Sequence, residues 1–220
     1  MHKNNQMVTG VILAGGKSKR MGENKAFLHL GENTIIGHII GCLQPIVDEL
    51  LLITNSPDEY AHLNIRMYSD IVANTGALGG IHTGLTHASH DTVVCVGCDS
   101  PFLNSDLLKH LLSVLGEYDA VIPYTTDLPD YKKINKKKDM SIIYQTLCAA
   151  YSKKCLPIIE EMFDESDYRV HALRERINSL ILSPKEWQPC DPEGLSFINI
   201  NTPEDYIRAK EMYNNDISLG

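Results

Sequence analysis

The chain has 220 residues, a hydrophobic fraction of 43% and a formal net charge of −8. That length suits one domain with a core of ordinary size. The acidic balance argues against nucleic-acid binding, which needs a broad basic face, but a small phosphate ligand needs only local charge. The opening "MHKNNQMVTG" is polar and has no leader-like apolar region, and no apolar run approaches the roughly 18 residues of a membrane span. No membrane partner is expected, and the cytoplasm is the expected location.

Met7–Leu13 reads as a first strand. The stretch after it holds adjacent glycines and four cations between Lys17 and Lys25. Short apolar runs and segments of helical period then alternate. "TIIGHIIGCLQ" (34–44), "SPDEYAHL" (56–63), "GGIHTGLTHAS" (79–89) and "NSDLLKHLLSVL" (104–115) read as helices. "VDELLLIT" (47–54), "NIRMYS" (64–69), "DTVVCVG" (91–97) and "YDAVIP" (118–123) read as strands. Such alternation predicts βαβ units and a parallel sheet covered on both faces. Asn104 stands as a helix N-cap, and Thr202-Pro203-Glu204-Asp205 opens a last helix over about 203–213.

The second half is less regular. Residues 124–140 are polar and basic and read as a long loop. "SIIYQTLCAAY" (141–151), "NSLILS" (178–183) and "LSFINI" (195–200) read as strands, while 153–163 and 167–177 read as helices. No repeat or linker divides the chain. One domain over 1–220 is expected, with a nucleotide-binding half at about 7–123 and an acceptor-binding half at about 124–213.

The cysteines at 42, 95, 98, 148, 155 and 190 include one C-x-x-C, "CVGC". It closes a strand-like run rather than opening a helix, and no second pair follows at zinc spacing. Buried thiols are expected over a redox or zinc site.

The glycine loop after the first strand lies at a sheet's carboxyl edge, where open α/β sheets bind ligands. A Walker loop fails, because Val11 stands where its first glycine belongs, and the dinucleotide fingerprint G-x-G-x-x-G is absent. What remains is a loop whose glycines can offer backbone N–H donors, followed by Arg20 and Lys25 as a candidate phosphate clamp.

"LAGGKSKRMGENK" (13–25) resembles the signature loop of the molybdenum cofactor guanylyltransferase family, L-A-G-G-x-S-x-R-M-G followed by a lysine. Asp70 with "GALGGIHTGL" (76–85), "CVGCDSPFL" (95–103), "LCAAY" (147–151) and "INTPEDY" (200–206) match later landmarks in order. Departures are Ala77 for a proline, Gly79 for an alanine, Asn24 for an aspartate, and "CVGCD" for a proline-cysteine-aspartate. The resemblance implies a three-layer αβα, Rossmann-like nucleotidyltransferase with a mostly parallel sheet. It implies transfer of GMP from GTP to the terminal phosphate of molybdopterin, with Mg²⁺ as cofactor. Molybdoenzyme maturation proteins are the onward partners it suggests.

Residue by residue, the resemblance assigns Arg20 and Lys25 to the triphosphate and Asp99 to the metal; Asn201 reads as a second metal or phosphate contact by analogy with related sugar nucleotidyltransferases. Leu13, Ala14, Gly15 and Gly16 would frame the nucleotide. Asn55 and Asp70 would lie nearby, and Gly76, Gly79 and Gly80 would let backbone pass close. Gly15 stands where related cytidylyltransferases carry alanine, and the missing Cβ favours guanine. Lys17 and Lys19 read as solvated charges, the 132–138 lysines as a solvated loop, and His82, His87 and His90 as packing or surface residues. Two alternatives stay open: the same fold with another phosphate acceptor, and a non-catalytic GTP-binding delivery protein.

Overall fold

β1 (Val8–Leu13) is buried along its whole length and forms the spine of the fold. The structure is a computed structural model that describes residues 7–15, 24–126 and 142–217. Gly16, Lys17, Lys19, Arg20 and the lysine-rich loop at 132–138 lie outside those residues.

After a short hairpin, β2 (His29–Leu30) and β3 (Asn33–Thr34), come α1 (Ile35–Leu43), β4 (Glu49–Ile53), α2 (Pro57–Tyr60) and β5 (Arg66–Tyr68). Then follow α3 (Gly76–His87), β6 (Thr92–Gly97), α4 (Ser105–Leu115) and β7 (Ala120–Thr125). The later elements are β8 (Ile143–Tyr144), β9 (Cys148–Ser152), α5 (Leu156–Asp164), α6 (Val170–Arg176), β10 (Ser179–Leu182), α7 (Pro184–Trp187) and α8 (Pro203–Ile217). Helix starts carry the expected chemistry. Thr34 Oγ1 accepts from the Gly37 N–H at 3.1 Å, and Asn104 Oδ1 accepts from the Asp106 N–H at 2.8 Å.

The main sheet runs β10-β7-β9-β6-β1-β4-β5. β1, β4, β5 and β6 are mutually parallel, and β10 is parallel to β7. β9 lies antiparallel between β6 and β7, because the chain leaves β7 at the carboxyl edge and re-enters there through β8. The sheet is therefore mostly parallel, with β9 reversed inside it and the short β8 reversed on β7.

The period of two along each strand sorts the core into two faces. Ile12, Leu52, Val94 and Val96 pack with α1, α4, α7 and α8. Val11, Leu13, Leu51, Ile53, Val93 and Cys95 pack with α3, α5 and α6. This is a three-layer αβα arrangement. α3 comes close to β1 because Gly84 has no side chain: a Cβ there would stand 2.7 Å from Val11 Cγ1.

The first units walk from β1 outward to β4 and β5, and α3 then carries the chain back to β6 on the other flank of β1. That reversal opens a crevice at the carboxyl edge.

Three expectations are corrected. "LSFINI" is not a strand: Leu195–Phe197 is a 3-10 turn, and 198–200 is irregular. Asp191 receives the Leu195 and Ser196 N–H groups at 3.1 and 3.0 Å, which winds this segment into a turn despite its alternating pattern. In place of the single strand expected over 141–151 there are two, β8 and β9, parted by a turn at 145–147. The last helix runs to Ile217 rather than 213.

Candidate active site

β1 and β6 end side by side, with the Cys98 N–H donating to the Leu13 carbonyl at 3.1 Å. Beyond β6, the chain Gly97-Cys98-Asp99 turns over the sheet edge. A Cβ on Gly97 would stand 2.7 Å from Asp99 Oδ1, so a larger residue there would displace that carboxylate. The 199–201 segment is pinned alongside: the Ile200 N–H donates to the Asp99 carbonyl at 3.0 Å, and Ser100 Oγ donates to Asn199 Oδ1 at 2.9 Å. Asp205, in the first turn of α8, accepts from the Asn201 and Thr202 N–H groups at 3.0 and 2.9 Å. Asn201 is thereby brought to the sheet edge from far along the chain.

Lys25 arrives from a third direction, on a 3-10 turn over Lys25–Phe27. Its Nζ donates to Asp99 Oδ2 at 2.7 Å and to Asn201 Oδ1 at 3.1 Å. The Lys25 and Asp99 side chains are 17% and 21% exposed, so the pair is sheltered yet reachable. One cation thus joins a carboxylate and an amide oxygen contributed by two distant parts of the chain.

A cleft opens from this pair. One side is formed by Leu13, Gly15 and Ile53 at the ends of β1 and β4, with Asp70 beyond β5. The amino end of α3 contributes Gly76, Ala77 and Gly80, and Leu147 closes the far side. Gly76 has φ +61°, a conformation that favours glycine. Gly80 lies against Leu13, whose Cδ2 would be 3.2 Å from an added Cβ. Gly79 packs inward against Thr75 instead.

Asn55 and Asp70 form a two-bond clasp. Asn55 Nδ2 donates to Asp70 Oδ2 at 2.7 Å, and the Asp70 N–H donates to Asn55 Oδ1 at 3.1 Å. Asp70 lines the cleft and Asn55 orients it. The Ala14 N–H donates to the Ile53 carbonyl at 2.8 Å, so that group belongs to the sheet, and Gly15 is the first residue past the ladder.

Lys25, Asp99, Asn201, Leu13, Gly15, Asp70, Gly76 and Gly80 therefore converge on one edge. Sequence reasoning missed Gly97 and Leu147. The glycine at the very end of an apolar strand was the available signal for Gly97.

The remaining candidates have packing roles. His87 stacks on Tyr68 with ring centroids 3.7 Å apart. His82 is buried against Phe163, with Nε2 3.6 Å from Glu160 Oε1. Burial pushes the Cys98 thiol up to about 12, with Asp99 adding to the shift, and burial also raises Cys95. Such thiols are poor nucleophiles and poor redox centres at neutral pH.

The model of the MobA-like NTP transferase domain matches residues 10–180. The molybdenum cofactor guanylyltransferase of Desulfosudis oleivorans is 33% identical, over 92% of this chain and 94% of its own length. Among solved structures, molybdopterin-guanine dinucleotide biosynthesis protein A from Archaeoglobus fulgidus superposes with a TM-score of 0.75 at 23% identity, covering 94% of this chain and 99% of that one. The 4-diphosphocytidyl-2C-methyl-D-erythritol synthase of Anaerococcus prevotii does so with 0.68 at 18%, covering 95% and 99%. Fold likeness at those identities spans both guanylyl and cytidylyl chemistry, so the fold does not choose the base. With the family model running through every strand that borders the cleft, the chain belongs to the MobA-like NTP transferase family and is a nucleotidyltransferase.

Proposed function

We propose that the protein transfers GMP from GTP to the terminal phosphate of molybdopterin, forming a guanine dinucleotide cofactor and releasing pyrophosphate. The observation that carries this reading is the Lys25–Asp99–Asn201 cluster at the mouth of a glycine-lined cleft, in a chain so similar to a molybdenum cofactor guanylyltransferase.

Leu13, Gly15, Gly76 and Gly80 frame the base and ribose, where small residues let the nucleotide meet backbone. Asp70, oriented by Asn55, offers its carboxylate to guanine's N1 and N2 donors. An acceptor phosphate oxygen attacks the α-phosphorus, the bond to the β-phosphate oxygen breaks, and pyrophosphate leaves. Little covalent work falls to the protein; positioning and charge neutralisation lower the barrier. Lys25 exchanges its carboxylate partner for the triphosphate, and Arg20 supports it from the glycine loop.

Asp99 Oδ2 and Asn201 Oδ1 already share one cation, the Lys25 ammonium, so the two oxygens fit a hard divalent ion. Held by Asp99 and Asn201, Mg²⁺ would supply positive charge to offset the negative charge that develops on the phosphates. We read 1–220 as one catalytic unit in the cytoplasm, with residues from about 124 onward facing the acceptor. Among the described residues, no helix is long and apolar enough to cross a membrane.

The test is incubation with labelled GTP, Mg²⁺ and molybdopterin. A guanine dinucleotide and one pyrophosphate per turnover support the reading. Transfer only to a sugar phosphate or methylerythritol phosphate would overturn the acceptor, and tight GTP binding without turnover would overturn catalysis.

A further inference from the structure

Lys25 reaches Asp99 from a turn of three residues, so something must hold that turn against the body of the protein. Asn24, its N-cap, does so with both ends of its side chain. Oδ1 accepts from the Ala26 N–H at 3.1 Å, closing the turn. Nδ2 donates outward twice, to Glu59 Oε2 at 2.6 Å and to Tyr60 Oη at 2.9 Å. Both acceptors belong to α2 (Pro57–Tyr60). Phe27, at the other end of the turn, packs its ring on Tyr60 at 5.0 Å and on His62 at 5.3 Å. Tyr60 is itself 2% exposed and packed in the core. α2 starts just after Asn55, the residue that clasps Asp70. One short helix thus anchors the Lys25 turn and follows directly on the base side of the cleft.

We propose that Asn24 is a positioning residue for Lys25, and that it must be an amide because Glu59 faces it. An aspartate in its place has the same shape and could still cap Ala26. It could not donate to Glu59, and it would set a second carboxylate against the first. The turn would then lean away from α2, and the Lys25 ammonium would leave the point shared by Asp99 and Asn201. Asn24 and Glu59 are a matched pair in this chain: neutral donor against charged acceptor.

The test uses the full chain carrying Asn24→Asp, alone and with Glu59→Gln or Asp58→Asn. Glu59→Gln restores a donor opposite residue 24. Asp58→Asn removes the same charge from α2 without restoring one. The first readout is the rate at which an N-hydroxysuccinimide ester acylates Lys25, followed by peptide mass spectrometry. The second is guanylyl transfer, an arm that rests on the function proposed above. Asn24→Asp should raise Lys25 acylation several-fold and lower kcat by about tenfold, through a small misplacement of a charged group. Glu59→Gln should return both to within about twofold, and Asp58→Asn should return neither. Unchanged acylation in Asn24→Asp, or equal rescue by Asp58→Asn, would overturn the proposal. If the wild type gives no guanylyl transfer, that function fails and the acylation arm still decides the pair. Should Asn24→Asp melt too early to assay, Glu59→Ala removes the charged acceptor that faces Asn24; it should raise Lys25 acylation in the same direction, and no change in it would overturn the proposal.

Discussion

Replacing Asp99 by asparagine removes one charge and almost no volume. The bare attraction between Lys25 and Asp99 at 2.7 Å is roughly 6 kcal/mol with an effective dielectric constant near 20. Most of that is offset by the cost of taking both groups out of water, and pairs of this partial exposure return about 1 kcal/mol or less. The ammonium also keeps its 3.1 Å contact with Asn201. Stability should therefore fall by no more than about 1 kcal/mol, a Tm shift of about 2–4 °C for a chain of this size. Turnover should fall far more, by about 10²–10³, as when one preorganised stabiliser of developing charge is lost. Thermal melts and initial rates of guanylyl transfer at saturating Mg²⁺ measure the two separately. Rates within tenfold of wild type would refute the assignment. So would a Tm drop above roughly 10 °C, which would mark Asp99 as a residue of the fold.

Lys25→Ala should cut turnover more than it weakens GMP binding, because the ammonium is assigned to the phosphates that leave; equal GMP and GTP affinities beside normal turnover would contradict this. Gly15→Ala should slow GTP use and narrow any preference over CTP, measured by competition at equal concentrations. The protein itself has room for the methyl, with Asp70 Oδ2 3.9 Å away, so a loss of stability instead would point to a structural glycine. At the opposite edge of the sheet, burial pushes the Glu49 carboxyl up, but the Ser89 N–H, the Ser89 hydroxyl and the Thr9 hydroxyl outweigh it and hold the carboxyl below its usual value of 4.5. A depressed carboxylate contributes stability above the unfolded value and loses it as pH falls through the folded one. Glu49→Gln should thus cost about 1–3 kcal/mol at neutral pH, and its melting curve should converge on wild type as pH drops below 4.5.

The alternation of β1, β4 and β6 was legible because each strand is covered on both faces and reads as a continuous apolar run. The reversal of β9 was not. "CAAYS" pairs with both neighbours whatever its direction, and only the return through β8 turns it round. Ile198 and Ile200 are buried and alternate like a strand, yet their segment crosses the sheet edge to reach Asp99, so burial and pairing part company there. At the site, charged residues in recognisable motifs could be named. The contacts that place them could not. Asn24 opposite Glu59 and Asn199 on Ser100 join positions 35 and 99 residues apart, and no local pattern carries such distances.

The most direct measurement is product analysis after incubation of the purified protein with molybdopterin, Mg²⁺ and an equal mixture of GTP and CTP. A carboxylate facing guanine's donors faces cytosine badly, and one unmade hydrogen bond in a partly closed site costs about 1–3 kcal/mol. Guanine dinucleotide should therefore exceed cytosine dinucleotide by roughly tenfold to a few hundredfold. Equal amounts of the two, or no dinucleotide at all from a protein that binds GTP, would contradict guanylyl transfer to molybdopterin.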